Sequence, residues 1–129
     1  MPFYQFTVPT GGATLQHKAE VAVAMTKVHA EVTGAPGTYV QCSFTEVAPG
    51  SVFVAGEAVE GPRMVGLIRS GRSSEVRAKL INGLADAWCA ITGDAKEDLG
   101  IFIVEIPGAN VMEAGAILPE SSEDVGAIL

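Results

Sequence analysis

Thr33-Gly34-Ala35-Pro36-Gly37, a β-rich run from Thr38 to Val47, and then Pro49-Gly50 return later in the chain as Thr92-Gly93, a run from Ile101 to Ile106, and Pro107-Gly108. The offset is 59 residues at the Thr-Gly pairs and 58 at the Pro-Gly pairs, so Val52-Phe53-Val54-Ala55-Gly56 also faces Val111-Met112-Glu113-Ala114-Gly115. A repeat of this length is the fact from which the fold has to be read. Thr-Gly is a helix stop and Pro-Gly a strand stop. Each copy therefore carries a helix ending and then a strand.

Working outward, the segment before Thr33 places Val21, Met25, Val28 and Val32 at i, i+4, i+7 and i+11, with Glu20, Lys27 and Glu31 on the other side. That spacing predicts an amphipathic helix, with Thr14 as its N-cap. Before it, Phe3 to Val8 alternates in the manner of a strand and stops at Pro9-Thr10-Gly11-Gly12. The second half follows the same plan. A strand is expected at Met64–Ile68, then a turn Arg69-Ser70-Gly71-Arg72, then a helix from Ser73 whose stripe is Val76, Leu80, Leu84, Ala87 and Ile91. Ser51–Ala55 reads as a further short strand. The expectation is an α/β (α+β) fold in which two β-α-β units, about 2–60 and 61–118, form a four-stranded sheet with two helices on one face. One domain spanning 1–129 is expected, with 119–129 as a C-terminal tail.

Composition narrows the function classes. The chain has 129 residues, 48% apolar and 18% charged, against about 25% charged in ordinary soluble domains. Disorder is excluded by so apolar a sequence. A mean hydropathy of +0.33 is high for a small lone chain and suggests surface buried between copies, hence a homo-oligomer. The net charge of −7 argues against nucleic acid as a partner, since phosphate binding needs clustered basic groups. No apolar run approaches the ~18 residues that span a bilayer, so a membrane is not expected as a partner either. Cys42 and Cys89 lie 47 residues apart without metal-ligand spacing and read as free thiols in a reducing compartment, the cytoplasm by default. Neither a metal nor a cofactor is expected.

All four arginines, Arg63, Arg69, Arg72 and Arg77, fall within fifteen residues. Arg69 and Arg72 flank a turn between a strand end and a helix start, where guanidinium forks and unpaired backbone N–H groups suit a carboxylate or phosphate; a solvated turn is the plainer alternative. Pro2 follows Met1 and, being small, permits removal of the initiator methionine. A free proline nitrogen is a secondary amine, and α-amino groups titrate at about 7.7–8.0, lower in an apolar pocket. Such a group suits acid–base work near neutral pH. His29, late in the first helix, is either a structural histidine or a site residue. Glu113 lies in the apolar segment Val111-Met112-Glu113-Ala114, where a carboxyl group is suited to proton transfer; an exposed loop carboxylate is the alternative.

Together these pieces resemble the tautomerase superfamily, most closely its cis-3-chloroacrylic acid dehalogenase group. The resemblance rests on Pro2, on His29 within Ala24-Met25-Thr26-Lys27-Val28-His29, on Arg69-Ser70-Gly71-Arg72, and on Ile106-Pro107-Gly108-Ala109-Asn110 leading to Glu113. It implies a homotrimer of β-α-β units with a catalytic N-terminal proline. Pro2 would transfer protons, Arg69 and Arg72 would hold and polarise a substrate carboxylate, His29 would help bind it, and Glu113 would activate water in a hydration. Dehalogenating members carry a tyrosine five residues before the proline that matches Pro107, and Phe102 stands there in this chain. Without that hydroxyl, water activation beside Glu113 loses a partner, whereas keto–enol tautomerisation needs no activated water. The implied activity is isomerisation of a small 2-oxo acid such as phenylpyruvate, with Phe102 at the substrate. The alternatives are hydration or dehalogenation of 3-haloacrylates, and a non-catalytic trimer that binds anions or protein.

Overall fold

The computed structural model describes residues 1–12 and 16–120. Strand β1 (Phe3–Pro9) leads to helix α1 (Lys18–Thr33), and strand β2 (Gln41–Val47) returns parallel to β1. Strand β5 (Arg63–Arg69), helix α2 (Ser74–Thr92) and strand β6 (Gly100–Ile106) repeat the unit, with β6 parallel to β5. β1 and β5 run antiparallel at the centre, which gives the order β2-β1-β5-β6. Each unit ends in a hairpin: β3 (Val52–Val54) with β4 (Glu57–Val59), and β7 (Met112–Glu113) with β8 (Ala116–Ile117). The two hairpins turn on Ala55-Gly56 and Ala114-Gly115, where all four residues have positive φ. That backbone twist matches the twist of the paired strands. The two β-α-β units and the four-stranded sheet are those anticipated from the repeat.

The helices end as the Thr-Gly pairs require. Gly34 and Gly93 both adopt the left-handed conformation and donate their N–H to Ala30 and Cys89. α2 begins one residue after Ser73, whose hydroxyl accepts from the Val76 N–H at 3.2 Å. Thr14 lies outside the described residues; α1 itself starts at Lys18, with His17 in the cap position and no side-chain cap. The strand expected from Thr38 starts only at Gln41. Gly37–Tyr39 is a 3₁₀ turn in which Tyr39 and Val40 donate to the carbonyls of Pro36 and Gly37, so those backbone groups are unavailable to the sheet. The same turn recurs at Lys96–Asp98.

The core lies between the sheet and the two helices. Tyr4, Phe6 and Val8 of β1 point inward with Met64 and Ile68 of β5, against Val21 and Met25 of α1 and Leu80, Leu84 and Trp88 of α2. Trp88 stacks on Phe6, which stacks in turn on Phe44, at centroid distances of 5.4 and 4.7 Å. Ala87 and Ile91 are only half-buried, because Trp88 takes the centre of the stripe. On the sheet face away from the helices, Phe102 and Val104 of β6 are exposed, as is Phe53 of the first hairpin. No helix among the described residues is long and apolar enough to cross a membrane.

Candidate functional site

The antiparallel pairing of β1 and β5 sets the C-terminal end of β5, with Arg69, beside the N-terminal end of β1, with Met1 and Pro2. The parallel pairing of β1 and β2 sets Gln41 on the other side, where its N–H donates to the Pro2 carbonyl at 3.0 Å. Glu113 comes from the second hairpin. These elements enclose a cleft of about 560 Å³ walled by Thr38, Tyr39, Gln41, Arg69, Glu113, Ala114, Ala116, Ile117, Leu118 and Pro119. The amino terminus of Met1 donates to Glu113 Oε2 and forms an ion pair with it. Met1 is 4% exposed, and Pro2 beneath it is fully buried.

Arg69 is buried, and its guanidinium donates to the Pro119 carbonyl at 2.9 Å. Gly108 makes that contact attainable, since a Cβ there would stand 2.4 Å from the Pro119 oxygen and 2.7 Å from the Leu118 oxygen. Arg72 folds back onto the Arg69 carbonyl at 3.4 Å, and Arg77 in turn donates to the Arg72 carbonyl at 2.5 Å and pairs with Glu105 at 3.1 Å. The turn is thus tied by its own guanidinium groups. His29 reaches the same end from α1, buried, with Nδ1 2.6 Å from the Tyr4 hydroxyl.

Burial is the main cause of the low pKa of His29, about 3, and the charges of Arg72, the amino terminus and Arg69 lower it further. The ring is therefore neutral throughout the physiological range. Its protonation in the unfolded chain at about 6.5, but in the folded chain only near 3, means stability is fully present above 6.5 and is lost as pH falls from 6.5 towards 3. A His29→Gln variant is expected to show a shallower loss of stability than the native chain between pH 6.5 and 4, measured by denaturant unfolding. Parallel pH profiles would show that burial of His29 is not the source.

Of the residues singled out in the sequence, Arg69 and Glu113 share the cleft wall, Pro2 and His29 are buried, and the charges of Arg72, the amino terminus and Arg69 all act on His29. Phe102 is not in that wall; it stands on the open face of the sheet. Tyr39 and Gln41 line the cleft without having been anticipated, and only their place just after the first helix stop could have drawn attention to them. Tyr4 was legible in principle: a phenol at an inward position of an alternating strand needs a buried partner.

The second repeat presents the same geometry with different chemistry. Pro62 precedes β5 as Pro2 precedes β1, and its carbonyl accepts from the Gly100 N–H at 3.2 Å. The cleft beside it, about 430 Å³, is walled by Val54, Glu60, Arg63, Glu97 and Asp98 among others. Val54 stands where the first cleft has Glu113, the Pro62 nitrogen is an amide, and the wall is acidic. No group of three or more metal-binding side chains occurs among the described residues.

Known proteins share this fold. The family described as "Putative oxalocrotonate tautomerase enzyme" matches residues 1–127. A crystal structure of a member of the cis-3-chloroacrylic acid dehalogenase family is similar at 27% identity, with a TM-score of 0.91 over 98% of this chain and 90% of the other. Native Ps01740 is 31% identical, with a TM-score of 0.81 over 87% of this chain and 100% of its own. A symmetric trimer of a fused 4-OT is 25% identical, with a TM-score of 0.82 over 97% and 99% of the two chains. No curated protein sequence gives a significant match.

Proposed function

Because the chain belongs to the tautomerase superfamily, within its oxalocrotonate tautomerase-like family and close to the cis-3-chloroacrylic acid dehalogenase group, we propose that it is a cofactor-independent keto–enol tautomerase of small 2-oxo acids, phenylpyruvate-like in size. The observation that carries this reading is the meeting of the amino terminus, Glu113 and Arg69 at one cleft. Removal of Met1 frees the Pro2 nitrogen and vacates the space that Met1 fills. The neutral amine then takes the proton of the enol hydroxyl and returns one to the β-carbon, which gives the keto acid. General acid–base catalysis of this kind contributes about 10²–10⁴-fold. Arg69 and Arg72 hold the carboxylate and stabilise the enolate charge, and neutral His29 donates to the same anion. Ala114, Ala116, Ile117 and Leu118 supply the apolar wall for the rest of the substrate.

The repeats act within a homotrimer in this reading. The exposed Phe102 and Val104 on the open sheet face, together with the trimeric fused 4-OT among the similar structures, support burial of that face between copies. Phe102 packs at that contact. The free thiols Cys42 and Cys89 support action in the cytoplasm. One chain is taken as one domain with one site.

A second reading has Glu113 directing water at the β-carbon of a 3-haloacrylate, and it is favoured by the place of Glu113 in the cleft wall beside Arg69. An assay of both substrates separates the two. Ketonisation without halide release is expected. Halide release from cis-3-chloroacrylate, abolished in Glu113→Gln, would replace isomerisation with hydration.

A further inference from the structure

His29 meets Tyr4 in a place prepared for it. Tyr4 is paired across the sheet with Gly66, and a Cβ on Gly66 would stand 2.6 Å from the Tyr4 ring. The glycine therefore leaves the room in which the phenol lies. The ring meets the His29 imidazole edge-on at 5.6 Å and 72°, and its hydroxyl stands 2.6 Å from Nδ1. Both side chains are essentially inaccessible to water, at 0% and 1% exposure. A buried hydroxyl hydrogen needs an acceptor inside the protein, and Nδ1 is the one at hand. A phenol O–H is also a better donor than a neutral imidazole N–H, and an imidazole nitrogen a better acceptor than a phenol oxygen.

We propose that Tyr4 is a positioning residue: its hydroxyl donates to Nδ1 of His29 and so fixes the tautomer in which Nε2 carries the hydrogen, making the ring a hydrogen-bond donor at the anion-holding end of the sheet. In a neutral imidazole, the bond made by one nitrogen decides the state of the other. The tautomer that results adds a third donor to the two guanidinium groups, Arg69 and Arg72, whose charges act on the ring. A ring in the other tautomer would turn a lone pair towards a bound carboxylate and repel it. The part of this inference that concerns substrate rests on the tautomerase reading; the tautomer itself does not. Burial also pushes the Tyr4 hydroxyl well above the usual phenol range, with the neighbouring Cys42 adding to the rise and Arg72 opposing it, so the donor hydrogen stays in place at all working pH values.

The test is ¹⁵N NMR of the imidazole in the full chain, with the ketonisation kinetics alongside. In the native protein Nδ1 is expected as the unprotonated, hydrogen-bonded nitrogen and Nε2 as the protonated one. Tyr4→Phe is expected to shift both signals and to raise KM for the enol acid about fivefold with little change in kcat, as loss of one neutral hydrogen bond implies. Gly66→Ala, which crowds the phenol without removing it, is expected to move the signals in the same direction. A native spectrum with hydrogen on Nδ1 overturns the inference, even if Tyr4→Phe does not fold. Unchanged signals or an unchanged KM in a folded Tyr4→Phe chain also overturn it. Absence of ketonisation in the native chain would refute the proposed function and leave the spectrum to decide the tautomer.

Discussion

Replacing Pro2 with alanine in the processed chain is expected to lower kcat for ketonisation by about 10²–10⁴-fold, the range that general acid–base groups contribute. Alanine keeps an amine at the amino terminus, so the backbone placement beside Gln41 survives. What is lost is the secondary amine of the five-membered ring, with its fixed direction and basicity. The Pro2 carbonyl, not its side chain, makes the bond to Gln41, so the sheet should close as before and the melting temperature should hold. A Pro2→Ala chain that ketonises at the native rate would show that the proton travels by another group, and Glu113 would be the next to examine.

Arg69→Ala should be the second most damaging change, with kcat/KM reduced about 10²–10³-fold, the loss typical of a preorganised donor to a developing oxyanion. Arg69 is buried at the end of β5 and tied to the Pro119 carbonyl, so its direction is set before any substrate arrives. Arg69→Lys keeps the charge but not the planar fork, and it should recover only part of the loss. Since Arg69 also anchors the chain at Pro119, unfolding curves are needed beside the kinetics. Alanine at this site with normal kcat/KM and normal stability would remove the guanidinium from the mechanism.

The repeat made the sheet and helices legible because its signals are local: Thr-Gly and Pro-Gly stops, alternation in Phe3–Val8, and a helical stripe centred on Leu80 and Leu84. Other features depend on distance or competition. Glu57–Val59 is too short and polar to declare itself a strand, and it exists as β4 because the Ala55-Gly56 turn folds it onto Val52–Val54. Thr38 and Tyr39 have β-forming side chains, yet the 3₁₀ turn uses their backbone first. Trp88 follows Leu84 at i+4 as Ala87 does at i+3, and of the two it is Trp88 that takes the core position, where Phe6 offers its ring a stacking partner.

The candidate site was legible in its residue types and not in its assembly. Arg69, Arg72, Glu113, His29 and Pro2 drew attention as residue types, and the antiparallel pairing of β1 with β5 explains why residues 67 positions apart, Pro2 and Arg69, share one end of the sheet. That Phe102 stands on the open face of the sheet follows from strand alternation: its neighbours Ile101 and Ile103 pack against the core on the helix side. No local pattern announces the pairing of Tyr4 with His29, which joins a strand to a helix 25 residues on.

The proposed chemistry needs a free Pro2 nitrogen, and Met1 stands directly in its way. Its amine is bonded to Glu113, and its side chain is buried at the same end of the sheet. The most direct measurement is the ketonisation rate of an untagged preparation whose intact mass has been read to better than one methionine. Chains lacking Met1 are expected to be active, and chains retaining it inactive. A preparation that keeps Met1 on every chain and still turns over, or one free of Met1 that does not, would contradict it.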